Sequence, residues 1–323
     1  MMRYSVRLAS LALAAAVCWP AGAQVPAAKG QEPRMVFQIL VSELAIQAGD
    51  LGLAAATYLS LAEETQQAEI AERATQVALS ARVPAQALRA ARIWNRARPD
   101  RADAQDTVDT LELMLGFTQD LSQSLMARRE SSRQAGQLEA FYDRLTGLLS
   151  RTPNRAQALQ LLETVGSPDL ELAPLAYSRA MMYESLGQTE EMERLLRALL
   201  SRQPDHAHAL NALGYSFADR GQRLPEANEL IRKAVGLAPD DAHILDSMGW
   251  VLFRMGQLAE ARQWLERAHK KQPDAEISAH LGEVLWALGM AERAVGIWKI
   301  GLKQDPHNKV LAQTLERLGV RIE

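Results

Sequence analysis

Between residues 35 and 319 apolar residues return every three or four positions, and no stretch alternates apolar with polar. That spacing marks amphipathic helices, whereas a half-buried strand repeats every two residues. In "ILDSMGWVLFRMGQLAEARQWLERA", from Ile244 to Ala268, Leu245, Met248 and Leu252 share one helical face. The run breaks at Gly256 and resumes toward Ala261, which predicts two helices joined by a turn. Helical spacing also runs through "LELMLGFTQDLSQSL", "LEAFYDRLTGLLSR" and "AQALQLLETV", and no low-complexity linker interrupts it. The fold class predicted is therefore all-α.

The same markers recur along the chain. "NALGYSFADRG", "DSMGWVLFRMG" and "AHLGEVLWALG" align on Gly214, Gly249 and Gly282, spaced 35 and 33 residues apart, and again on Gly221, Gly256 and Gly289. Ala227, Ala261 and Ala294 follow in register, then Pro239, Pro273 and Pro306; Pro204 and Gly187 extend the series upstream. A period of about 34 residues with these offsets resembles the tetratricopeptide (TPR) helix–turn–helix unit. Each marker has a physical reason. The first glycine and the alanine sit where paired antiparallel helices touch, and a larger side chain there would separate them. The second glycine suits a left-handed turn at the helix end. Pro-Asp ends the second helix, and its aspartates can cap the next. Looser units precede these, one with Gly49 and Ala54, another with Ala74, Ala87 and Trp94. The reading is a right-handed TPR solenoid of about seven to eight units. N-terminal units occupy 35–101, degenerate helical repeats 102–172, well-formed units 173–308, and a C-terminal capping helix 309–323.

The amino terminus differs in kind. Arg3 and Arg7 precede the 12-residue apolar run Leu8–Trp19, and "AGA" ends at Ala23. This layout predicts a signal peptide over 1–23 cleaved after Ala23, with a flexible leader over 24–34 and a periplasmic protein as the product. The run is too short to span a bilayer comfortably. The alternative cut acylates Cys18, the sole cysteine, but Val17 stands where a small residue is wanted; membrane association follows only from that lipidation. A net charge of −3 gives no reason to expect nucleic acid as a partner.

No Walker loop, GxGxxG, GxSxG or HExxH pattern occurs, so the reading is not an enzyme and involves no cofactor or metal. His280 and Glu283, three apart, are read as polar residues of a repeat's first helix rather than a metal pair. His206, His208, His243 and His307 are spread along the stack. Function then falls to the concave face lined by the first helix of each pair. With the first glycine numbered 8 in each repeat, positions 2, 5, 9, 12 and 13 look inward in TPR units. Tyr177, Asn211 and Asp246 fall at position 5, and Met181, Tyr215, Trp250 and Glu283 at position 9. Asp219 and Arg254 fall at position 13, and Trp286 at position 12. An aromatic ladder flanked by polar groups suits a protein or peptide partner, with Trp250 exposed. The other possibility is a tight superhelix whose inner side chains pack on neighbouring repeats. Trp264 and Trp298, on second helices, are read as packing residues.

The run Asn211–Leu318, with "PDDAHILDSMGWVLFRMGQLAEA", together with "LAEETQQAEIAERATQVAL" near the amino terminus, resembles a family of exported bacterial TPR proteins. One branch is an outer-membrane lipoprotein adaptor that binds a periplasmic carboxyl-terminal processing protease and delivers cell-wall hydrolases to it. The resemblance implies a non-enzymatic periplasmic adaptor with such a protease and its clients as partners. The alternative is a scaffold or chaperone for cell-envelope assembly without a protease.

Overall fold

The structure, a computed structural model, describes residues 32–322. The signal peptide, the Ala23 cleavage site, Cys18 and the leader through Gln31 lie outside the described residues. Seventeen α-helices, one 3-10 turn and no strand make up the described chain. The fold is the all-α helix–turn–helix stack that the periodicity predicts, and the chain divides into two compact units at Val108/Asp109.

The first unit contains α1 (Glu32–Gln47), α2 (Leu51–Thr65), α3 (Ala68–Ser80) and α4 (Pro84–Ala97), and the division falls inside α5 (Ala102–Leu115). The first described helix starts at Glu32, three residues before the 35 expected for the first unit. Pro33 explains this, because a proline in the first helical turn gives up an N–H that has no partner there anyway. The core is alanine-rich: Ala54, Ala74 and Ala87 are fully buried, so neighbouring helices approach closely. Glu43 ties three helices together, accepting from the Tyr58 hydroxyl at 2.6 Å and from Arg73 at 2.9 Å.

The second unit runs from Asp109 and continues with α6 (Thr118–Gln134), α7 (Leu138–Ser150) and α8 (Arg155–Gly166), then a 3-10 turn at Ser167–Asp169. No repeat marker organises this stretch; a polar knot does. Asp169, nearly buried, accepts from the fully buried Tyr142 hydroxyl at 2.6 Å and from Arg133 at 2.7 Å. Arg129 donates to the Val165 carbonyl beside it. Burial and the bonded Asp169 carboxylate push the Tyr142 phenol well above its ordinary value.

Four regular helix pairs follow, and they carry the inner face. They are α9 (Ala173–Ser185) with α10 (Thr189–Arg202), α11 (Ala207–Asp219) with α12 (Leu224–Leu237), α13 (Ala242–Arg254) with α14 (Leu258–Lys271), and α15 (Ala275–Ala287) with α16 (Ala291–Gln304). A final helix, α17 (Lys309–Leu318), lies on the last pair. A Cβ on Gly249 would stand 2.5 Å from Leu265 Cγ and 3.0 Å from the Ala261 carbonyl, and one on Gly214 would meet Ile231 and the Ala227 carbonyl in the same way. Gly282 lies under the Trp298 indole, which is fully buried. Gly256, at φ +79°, turns α13 into α14 in the left-handed conformation. Asp241 caps α13 through the His243 and Ile244 amides at 2.9 and 3.1 Å, and Asp274 caps α15 through Ile277 at 2.8 Å.

These contacts separate two kinds of glycine. Gly249→Ala is expected to lower stability by about 1–3 kcal/mol, because the backbone of α14 must retreat. Gly296→Ala, with open space around its Cβ on α16, is expected to raise it by about 0.5–1 kcal/mol. Denaturant midpoints of the two variants against the parent check both signs.

Candidate functional site

The inner side of the four pairs is closed by contacts between successive first helices. The strongest of these is buried. The His280 ring, on α15, donates from Nδ1 to the Asp246 carboxylate on α13 at 2.9–3.0 Å, with both side chains almost wholly out of water. Burial pulls the imidazolium pKa down, but the Asp246 charge and hydrogen bond outweigh it, so the pKa is held above the ordinary 6.5. Trp250 stacks on that imidazole at 4.2 Å between ring centroids and on Phe253 at 5.2 Å.

Trp250 is therefore 5% exposed, and the expectation of an open aromatic at this position is corrected. Position 9 of one repeat is roofed by position 6 of the next, because neighbouring first helices come close enough for His280 to lie flat on the indole. Asp246 and Glu283, also expected in the open groove, are buried for related reasons. The Glu283 carboxylate accepts from Arg317 on α17 at 2.6 Å. Asn211 Oδ1 and Trp250 Nε1 are buried with no partner in the protein, a cost of about 1–3 kcal/mol for each such atom.

The remaining positions are partly or fully exposed. Tyr177 is half-buried, its ring stacked on His206 at 5.6 Å, and Met181 packs beside the core. Tyr215 donates its hydroxyl to Glu276 Oε1 at 3.1 Å, reaching past α13 to α15. Burial first, then the nearby Glu276, Asp246 and Asp219 charges, drive that phenol far above its ordinary value. Asp219 is exposed at the end of α11, where its backbone carbonyl accepts from Arg254; the same guanidinium lies 5.7 Å over the Trp250 ring. Trp286 sits at 5.8 Å from Trp298, inside the last pair. Trp298 is fully buried, and Trp264 is half-buried under the Arg267 guanidinium at 4.4 Å.

One cavity of ≈ 510 Å³ opens on this face, between α11, α13, α15 and α17. It brings together Tyr215, Asp219, Trp250, Arg254 and Glu283 of the residues read from the sequence. Tyr177, Met181, Asn211, Asp246 and Trp286 lie outside its lining. Sequence reasoning missed Phe253 and His280, and missed the whole α17 wall of Val310, Gln313, Thr314 and Arg317. Phe253 shares position 12 with Trp286 and could have been found from the same register; His280, at position 6, could not. The α17 wall could not, because it falls after the last recognisable repeat. Further along the face, Glu184 on α9 is pushed up to about 7 by burial and by repulsion from Asp219 and Glu276. Among the described residues no group of three or more His, Cys, Asp or Glu is placed to hold a metal ion, and no helix is long and apolar enough to cross a membrane.

Two family models, both described as tetratricopeptide repeat, match residues 177–242 and 221–280. These are tetratricopeptide repeats. The matched stretch contains the markers from Gly187 through Pro273 and most of the cavity lining. A TPR repeat-containing protein of Pseudomonas aeruginosa is 38% identical over 135 residues, which are 42% of this chain and 23% of that protein. The chain thus matches about a quarter of that bacterial relative's length. Among solved structures, a tetratricopeptide repeat protein of Parabacteroides merdae covers 88% of this chain and 98% of its own at 15% identity and TM-score 0.49. A thermophilic TPR protein of Thermus thermophilus covers 62% of this chain and 100% of its own at 18% identity and TM-score 0.46. TPR units act as scaffolds for protein–protein interaction, and the TPR fold is typically non-catalytic.

Two outcomes follow from this geometry. Trp250→Ala is expected to cost about 3–5 kcal/mol by denaturant melting, the range for emptying a buried aromatic site. Glu184 titrates higher folded than unfolded, so its contribution is fully present below about pH 4.5 and is lost as pH rises through about 7. Glu184→Gln should therefore stabilise the protein by about 1–3 kcal/mol at pH 8 and by much less at pH 5, as read from melts at both pH values.

Proposed function

We propose that the protein is an exported, non-enzymatic adaptor that holds protein partners on the inner face of its TPR region. In this reading it brings periplasmic client proteins to a carboxyl-terminal processing protease. The observation that carries the proposal is the cavity between α11, α13, α15 and α17. It combines an aromatic floor of Tyr215, Trp250 and Phe253 with both signs of charge at Asp219, Arg254 and Arg317. Apolar anchoring with polar orientation at the edge is the chemistry of peptide capture. Its volume admits a peptide side chain with part of its backbone, not a folded domain. Residues 1–23 support export through their Arg3/Arg7, apolar run and small-residue layout. The resemblance of Asn211–Leu318 to exported TPR adaptors supports the protease as partner.

Because Trp250 is structural, the binding test uses the rim. Asp219→Lys combined with Arg254→Glu inverts the charges that a peptide would meet while leaving the floor in place. Affinity capture from periplasmic extract with the parent protein is expected to recover a processing protease, and the double variant to recover at least about tenfold less at unchanged helical content and melting temperature. Recovery of envelope-assembly factors alone would favour the scaffold or chaperone reading. Substrate turnover by the purified protein would overturn the non-enzymatic one.

A further inference from the structure

Among the described residues nothing covers an apolar stripe on the first of their helices. On α1, Val36, Phe37, Leu40 and Leu44 are 51, 66, 58 and 62% exposed. At about 100° per residue they fall within one arc of roughly 100°. Pro33 and Gln47 lie on the same arc, and no charged residue does. Glu43, at its margin, turns its carboxylate to Tyr58 and Arg73. The chain treats the end of its second unit differently. There α17 buries Leu311 and Thr314 and shows Lys309 and Glu316 to water, polar residues such as terminal repeats need.

We propose that α1 is the contact surface for a second copy of this chain, in an antiparallel two-fold pair centred on Leu40. Three observations point to a copy rather than an unrelated protein. First, the stripe is self-complementary. Val36 and Leu44 each lie four residues from Leu40, so reversing the helix puts Leu40 against its own counterpart and Val36 against Leu44 of the partner subunit. A two-fold interface requires that property. Second, the stripe carries no charge, so self-pairing sets no like charges against each other. Third, the patch has the character of an interaction site: four large apolar side chains, each more than half exposed, lie together on one helical face. The chain's own residues 24–31, "QVPAAKGQ", offer only Val25 and two alanines against four large side chains.

The test uses the chain from Gln24, the product of the export proposed above, which holds no thiol. Sedimentation is expected to give twice the mass of a single chain at micromolar concentration. Phe37→Glu with Leu40→Glu should return it to one chain at unchanged helical content and melting temperature. In the thiol-free background, Leu40→Cys should be linked to its counterpart by a short bismaleimide, whereas Ala81→Cys, at the end of α3, should not. A single chain up to about 100 μM, a pair that survives the double variant, or a Leu40→Cys chain that fails to link would each overturn the proposal. So would either of two other occupants. One is the chain's own leader, shown by pairing only after residues 24–31 are removed. The other is a lipid surface, shown by a single chain that co-sediments with phosphatidylglycerol vesicles through Phe37 and Leu40.

Discussion

The second unit depends on how closely the two helices of each pair approach. At Gly214 and Gly249 the facing carbonyls of Ala227 and Ala261 come within 3.0 Å of where a Cβ would stand, so any larger residue forces the helices apart. The same small contact lets a large side chain on the second helix cross the glycine: Ile231, Leu265 and, in the last pair, Trp298. Pair spacing in turn sets how far one first helix lies from the next. That distance decides what can occupy the inner face. An antiparallel pair a fraction of an ångström wider would move every first helix and dissolve the contacts between them.

Those contacts are polar as well as apolar. Asp246 with His280, Tyr215 with Glu276, and Glu283 with Arg317 each join different helices of the stack. Of these only Asp246–His280 is buried on both sides; such a pair gains little over an apolar pair of the same shape, but losing one partner strands the other, at a cost of about 3–5 kcal/mol. Such pairs fix which residue meets which more than they add stability. The cavity survives where this closure stops, between the last first helix and α17, and so its walls mix aromatic and charged groups.

Much of the fold was legible because its rules are local. The turn at Gly256, the caps at Asp241 and Asp274, and the glycine–alanine contact are all set within one repeat. The core positions Leu245, Met248 and Leu252 follow from helical spacing alone and are buried. The exposure of Trp250 was not legible, because it depends on His280, 30 residues away and one repeat further on. Position averages describe an open groove, and this one is roofed by a histidine that only the three-dimensional spacing places there. The knot at Asp169 was illegible for the same reason: Tyr142 and Arg133 lie 27 and 36 residues upstream and carry no motif. Four of the cavity's eleven lining residues come from α17, a helix without repeat markers that no register argument reaches.

The Tyr215–Glu276 bond has a mechanical consequence. It bridges α11 and α15 over the intervening α13, and so ties together helices two steps apart on the inner side. A stack whose inner edge is linked only between neighbours can lengthen by small rotations at every joint, as a coil spring does. With a strut across two joints, those rotations are no longer independent, and stretching must first break the strut. Between residues 207 and 287 the joints on either side of α13 are thereby coupled by one hydrogen bond, worth about 1 kcal/mol.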